Sequence, residues 1–143
     1  MGACDVIAST QDAKTAVGAG DPAADVGTQS SLRNVVVAAS MLFASSSSYD
    51  GATASAVAQI DPGFCLVNST TPSLAAGGSC EAGGGSQPIS IYSSGQTFAA
   101  AAMSSSGTCF WIHAERGTIS GYGSGEPCTG SAATAATGSA FPS

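Results

Sequence analysis

The chain carries little charge, and basic residues are its scarcest class. Among its 143 residues there are only three Lys and Arg, at Lys14, Arg33 and Arg116, and the net charge is -6. Proteins that bind nucleic acids cluster Lys and Arg on one face, where these side chains neutralise phosphates. We therefore expect no nucleic-acid partner.

Side chains that carry chemistry are also rare. His113 is the only histidine, so any Ser-His-Asp or Cys-His centre would have to be built around it. Its predicted position inside a strand favours a structural role, since catalytic groups concentrate on loops. The carboxylates are scattered singly and do not form a calcium-binding pattern. The sequence predicts a protein that is not an enzyme and has no metal or cofactor.

Long apolar runs are absent as well. No run approaches the roughly 20 apolar residues that are needed to cross a bilayer. Residues 1–24 lack the basic start and the continuous apolar segment of a signal peptide. Gly18, Gly20 and Pro22 interrupt a weak helical pattern there. We expect residues 1–27 to form a poorly ordered or weakly helical lead-in.

The five cysteines lack the C-x-x-C spacing that is typical of zinc sites and thioredoxin-like centres. Disulfides made in an oxidising compartment are the better interpretation, and they indicate an extracellular or cell-surface protein. Many pairings are possible. Cys65–Cys80 with Cys109–Cys128 ranks first, because each pair closes a short loop rich in Gly and Ser, and Cys4 is then left over. One such cross-link stabilises a fold by roughly 3 kcal/mol.

The stretch of residues 28–45 is the one long segment with helical periodicity. Large apolar residues recur there every three or four positions, at Leu32, Val35, Val36, Ala39, Leu42 and Phe43. Val37 and Met41 lie off this stripe, so the helix is apolar around much of its circumference. We predict a helical spine that packs on a core, and we assign self-association to Leu32, Val35, Val37 and Met41.

The later part of the chain changes to a period of two. After a short helix over 52–60 and a brief strand over 64–67, the alternation predicts strands over 89–93, 98–103 and 108–114, with a possible fourth over 118–122. In the third of these, Phe110 and Ile112 share one face, while Cys109, Trp111 and His113 share the other.

This pattern predicts an α+β class, in which the helical spine packs against a small antiparallel β-meander of 3–4 strands. The domain is expected to span residues 28–130 and to be followed by a flexible tail over 131–143. Gly121 to Gly125 read Gly-Tyr-Gly-Ser-Gly, which matches neither a nucleophile elbow nor a dinucleotide-binding loop. This phrase predicts a flexible turn.

Three phrases in this order carry a family resemblance: SSLRNVVVAASMLFASSSSYDG, AQIDPGF and SSSGTCFWIHAERGTISGYGSGEPCTGSAA. They resemble type IV pilins and pilin-like proteins (pseudopilins) of high-GC Gram-positive bacteria. The resemblance implies a structural subunit of a pilus or secretion pseudopilus, with a disulfide between Cys109 and Cys128. Its implied partners are other pilin subunits and the pilus or secretion assembly machinery.

Members of that family begin with a processing site and a long apolar helix, and residues 1–27 contain neither. A membrane is therefore expected as a partner only if such a helix is present. The alternative is a secreted adhesion or ligand-binding module with an unrelated α+β fold. In that alternative, Trp111 and Tyr122 are the aromatic side chains that contact the partner.

Overall fold

The computed structural model describes residues 22–74 and 79–142. The predicted lead-in up to residue 21, including Cys4, lies outside the described residues. The described elements, in chain order, are α1 (Pro22–Ser46), α2 (Ala54–Ile60), β1 (Cys65–Val67), β2 (Pro88–Ser94), β3 (Thr97–Met103), β4 (Cys109–Glu115), β5 (Thr118–Ser124) and α3 (Gly130–Ala133).

The strands form a five-stranded sheet in the order β1-β2-β3-β4-β5. Strands β2 to β5 make an antiparallel meander, and β1 adds to its edge in parallel, with Cys65 opposite Pro88 and Val67 opposite Ser90. The α+β class is confirmed, but the sheet is larger than the predicted three or four strands. The short strand over 64–67 was predicted, but its place in the sheet was not, because a parallel pairing across a long connection leaves no local pattern in the sequence.

Helix α1 begins earlier than its apolar pattern predicts. Pro22 suits a first turn, where its missing N–H is not needed, and Asp25 places a negative charge at the positive end of the helix. Asp25 also accepts a hydrogen bond from the Ser106 hydroxyl at 2.6 Å. The helix ends where Ser47 takes a left-handed conformation with φ 58, and its N–H bonds to the Phe43 carbonyl at 2.6 Å.

One face of the sheet is closed by α1 through large side chains. Leu32 and Val35 from the helix are fully buried against Phe98, Phe110 and Ile112 from the sheet. Each such side chain contributes roughly 1.5–3 kcal/mol by leaving water. The predicted orientation of Phe110 and Ile112 toward the helix is therefore confirmed.

The other face is closed by small side chains and a disulfide. Its buried cluster consists of Ala99, Ala101, Cys109, Cys128 and Ala133. Helix α3 lies so close to β2 that a Cβ atom on Gly130 would sit 2.6 Å from the backbone of Ile91. A glycine is therefore required where α3 meets the sheet.

The chain beyond α3 also packs on the domain, which revises the expected flexible tail. Gly138 and Tyr122 exchange two backbone hydrogen bonds, at 2.9 and 2.8 Å, along the outer edge of β5. Phe141 packs edge-on against Tyr122, with ring centroids 4.6 Å apart. Because Ala, Ser, Thr and Gly carry little hydrophobic pattern, it could not be predicted from the sequence that this segment covers an exposed strand edge.

Candidate functional site

The solvent-facing side of α1 is unusually apolar. Val26, Val37 and Met41 are 59%, 59% and 58% exposed, and they lie about three turns and one turn apart on one side of the helix. Arg33 is the one charged residue among the exposed positions of α1. We call Val26, Arg33, Val37 and Met41 the α1 stripe. A helix on a protein surface normally turns charged and polar side chains to water, so this stripe is the strongest candidate for a contact surface.

The four residues that the sequence assigns to self-association separate into two pairs. Val37 and Met41 belong to the α1 stripe, whereas Leu32 and Val35 are fully buried under the sheet. Leu32 and Val35 therefore hold the fold together and are not available to a partner. Helical spacing alone could not separate the pairs, because all four are apolar and only the position of the sheet decides which face is covered.

An apolar groove runs beside the α1 stripe. It has a volume of about 650 Å³, and its lining residues are Val36, Val37, Ser40, Met41, Ala44, Gly117, Thr118 and Ile119. The far wall is the turn between β4 and β5. This turn bonds to α1 and to the segment after it: the Ser40 hydroxyl of α1 donates to the Gly117 carbonyl at 3.4 Å, and the Gly117 N–H donates to the Tyr49 hydroxyl at 2.9 Å.

Tyr49 holds this turn through its hydroxyl, and this role was not predicted from the sequence. Its side chain is fully buried, with ring centroids 4.7 Å from Phe43 and 5.5 Å from Phe98. The sequence signal was only a tyrosine in a predicted turn. Its role becomes visible once the turn is folded against the sheet.

The two aromatic residues proposed as ligand contacts are not brought together. Tyr122 packs with the core on the α1 side, whereas Trp111 packs with the small-residue cluster on the opposite face. The Arg33 guanidinium lies 5.6 Å from the centre of the Tyr122 ring and 4.9 Å from that of Phe141, which is a cation–π geometry. Both aromatics are half-buried, and their contact with a partner stays a prediction.

The glycine-rich phrase within β5 is what makes room for Trp111. A Cβ atom on Gly123 or Gly125 would lie 3.5 or 2.8 Å from the indole ring. A Cβ atom on Gly121 would lie 2.2 Å from the Ala136 carbonyl oxygen. The phrase is thus mostly strand and not the predicted flexible turn, because its glycines let a ring and a chain segment rest directly on the backbone.

Among the residues that the structure describes, the hydrogen-bond partners of the His113 ring are a carboxylate and a backbone carbonyl. Its Nε2 is 2.6 Å from the Glu115 carboxylate, and its Nδ1 is 3.3 Å from the Ala136 carbonyl. The Thr97 hydroxyl donates to the same Glu115 oxygen at 2.7 Å. General-base activation by His113 would need a hydroxyl that donates a hydrogen bond to the imidazole. The Thr97 hydroxyl donates to the Glu115 carboxylate instead.

The Thr97 hydroxyl is the largest cause that lowers the pKa of Glu115. The hydrogen bond and charge of His113 and the charge of Arg116 lower this pKa further, while desolvation opposes them. The described residues contain no cluster of three or more side chains suited to a metal ion. In the same described part of the chain, no helix is both long and apolar enough to cross a membrane.

Two intramolecular disulfides complete the arrangement. They join Cys65 to Cys80 and Cys109 to Cys128, the pairings that the sequence analysis ranks first. Disulfides of this kind fit an extracellular protein. Comparison of the chain with protein-family models, with curated proteins and with solved structures gave no match.

Proposed function

We propose that this chain is a non-catalytic structural subunit that self-associates through the α1 stripe, as a subunit of a type IV pilus or a secretion pseudopilus or as the head domain of one. The observation that carries the proposal is the division of α1 into two apolar faces. One face is buried under the sheet, and the other exposes Val37 and Met41 beside an apolar groove. A helix whose second apolar face has no cover within its own domain is suited to packing against another copy.

The distribution of charge supports the same surface. With a net charge of -6, two copies repel one another over most of their surfaces. Asp25 accepts a hydrogen bond from the Ser106 hydroxyl at 2.6 Å and Asp50 accepts one from the Gly95 N–H at 2.7 Å, and neither belongs to the α1 stripe. The α1 stripe has no carboxylate. Association there brings no carboxylates of the stripe together, and it removes the exposed apolar side chains of Val26, Val37 and Met41 from water.

The resemblance to pilin-like proteins supplies the biological setting of the proposal. The spine helix with an antiparallel meander on one side, and a Cys109–Cys128 disulfide near the C-terminus, agree with what that resemblance implies. On this proposal the chain works outside the cell, in a filament on the cell surface. Its partners are further pilin subunits and the pilus or secretion assembly machinery.

The test replaces the exposed side chains of the α1 stripe with charged ones. A Val37→Glu, Met41→Glu double variant is compared with Leu74→Glu, which alters an apolar side chain of similar exposure, 54%, outside the helix. Each version is expressed in the source bacterium, and filaments sheared from the cells are probed by immunoblotting and by immunogold electron microscopy. We expect the unchanged chain and Leu74→Glu in the filaments and at least a tenfold loss of the double variant.

A thermal unfolding curve of each purified chain serves as the control for folding. The altered positions are exposed, so the three melting temperatures should agree within a few degrees. Sheared filaments that lack the unchanged chain would contradict the proposed function. Filaments that retain the double variant as well as Leu74→Glu would show that the α1 stripe is not the contact.

A further inference from the structure

A second feature of the domain is the segment of residues 134–141, which crosses the outer edge of β5. We call this segment the C-terminal strap. It is held at three points along its length, by His113 to Ala136, by the paired hydrogen bonds of Gly138 with Tyr122, and by the packing of Phe141. The strap satisfies backbone groups of an edge strand that would otherwise be open to another chain.

The hydrogen bond at the first of these points, between His113 and Ala136, depends on how many protons the imidazole ring carries. The two ring nitrogens of His113 both face acceptors, the Glu115 carboxylate and the Ala136 carbonyl. An imidazole donates from both nitrogens only when it carries two protons, and a neutral ring must turn one lone pair toward an oxygen. The neutral ring therefore loses one of these two bonds and leaves two acceptors facing each other.

The surroundings leave few other charges to alter this dependence. Within the described part of the chain, the residues paired with His113 are Ala99 on β3 and Gly121 on β5, and neither titrates. Ala136 on the strap offers only its backbone carbonyl. Glu115 on the same strand is the charged neighbour, and Arg116 acts on that carboxylate. Gly121 has no side chain, which lets the strap carbonyl approach the ring.

We propose that His113 is a pH-dependent clamp that holds the C-terminal strap on β5 while its ring carries both protons and loosens the strap when one proton is lost. Histidine is the side chain that commonly changes charge between about pH 5 and 8. Loosening of the strap frees the Tyr122 backbone N–H and carbonyl, which then become an open strand edge. This device goes beyond the proposed self-association because it acts on the edge of the sheet, although the Phe141 ring of the strap also lies 4.9 Å from the Arg33 guanidinium of the α1 stripe.

The test follows backbone amide exchange of the full chain by NMR between pH 5 and 9, corrected for the intrinsic pH dependence of exchange. The reporter is the Gly138 amide, which bonds to Tyr122. The reference is the Leu66 amide, which bonds to Ala82 at 2.9 Å on the opposite edge of the sheet. We expect the protection of Gly138 relative to Leu66 to fall roughly ten- to a hundredfold as pH rises, as for loss of a charged hydrogen bond.

The side chain responsible is identified by two further measurements. The pH midpoint of the loss should coincide with the midpoint of the His113 ring signals in the same sample. In His113→Gln the ratio should be independent of pH, with Leu66 protection showing that the variant is folded. A constant ratio in the unchanged chain, midpoints that differ, or the same pH dependence in His113→Gln would each overturn the proposal.

Discussion

The two faces of the sheet are closed by opposite means. On the α1 face, Phe98, Phe110 and Ile112 fill the space between helix and strands with large side chains. On the other face, alanines and glycines leave so little space that α3 and the strap rest almost on the backbone, and a disulfide joins the layers. The first face tolerates small shifts of its backbone, whereas the second requires close approach.

This difference predicts two kinds of sensitivity. Removing atoms should damage the α1 face, because a cavity replaces lost contacts. Adding atoms should damage the disulfide face, because a Cβ atom has nowhere to go. The comparison can be tested by substitutions of each kind, measured as the free energy of unfolding in urea at pH 7.

The largest effect is expected from Phe98→Ala on the α1 face. Phe98 is fully buried and its ring neighbours Tyr49, so its truncation should cost about 3–5 kcal/mol. Met41→Ala is the control, since that side chain is exposed, and it should cost less than about 0.5 kcal/mol. A loss below about 1 kcal/mol for Phe98→Ala would show that the α1 face does not dominate the core.

The next effect concerns the disulfide on the other face of the sheet. Replacing Cys109 and Cys128 together by Ala should cost about 3 kcal/mol. The same double replacement at Cys65 and Cys80 should cost a similar amount, because the sequence separations are 19 and 15 residues and the entropy of loop closure changes slowly with length. Two unequal losses would mean that one disulfide also determines packing, as its position beneath α3 would suggest for Cys109–Cys128.

A smaller loss is expected from Gly130→Ala, which adds one methyl group where α3 touches β2. Its Cβ would lie 2.6 Å from backbone atoms of Ile91 and Tyr92, so α3 must move and stability should fall by about 1–3 kcal/mol. Gly51→Ala makes the same change with nothing within 4 Å and should be neutral or slightly stabilising. Equal effects at the two sites would remove the distinction between the faces.

The smallest effect is expected at Glu115, near the strap. Its pKa is lowered in the fold, so its contribution is present above the ordinary value of 4.5 and is lost as pH falls through the lowered value. Because its side chain is 39% exposed, the contribution should stay below about 1 kcal/mol. Unfolding of the unchanged chain and of Glu115→Gln should differ at pH 5, where the carboxyl is ionised, and the difference should shrink as pH falls below 4.5. A difference that grows as pH falls below 4.5 would reverse this sign.

The packing of the α1 face could be predicted from the sequence, because its large apolar side chains recur at regular intervals. Phe110 and Ile112 alternate with Trp111, and the apolar residues of α1 recur every three or four positions. The face of the sheet and the face of the helix that pack together could therefore be predicted from local patterns. The division of the helix residues could not be made in the same way. Leu32 and Met41 are equally apolar, and only the path of the sheet across the helix separates buried from exposed.

The packing of the disulfide face could largely not be predicted, because its side chains are small and show no such repeat. The sequence alone does not distinguish a glycine that allows close packing from a glycine that allows a turn. For this reason the segment from Gly121 to Gly125 was predicted to be a turn. The all-alanine interior of β3 favours a helix by intrinsic preference, yet five consecutive residues of this strand are buried between two layers. Tertiary contacts decide such segments, and these contacts come from distant parts of the chain.

The placement of the two disulfides has a mechanical consequence for α1. Both covalent loops begin at or after Cys65, so no cross-link joins the described part of α1 to the sheet. A force that pulls α1 away can extend residues 22–64 to a length of roughly 150 Å before it reaches the first cross-link. Strands β4 and β5 lie inside the loop that Cys109 and Cys128 close. The same force therefore cannot extend these two strands to their full length, whereas no disulfide limits the extension of α1.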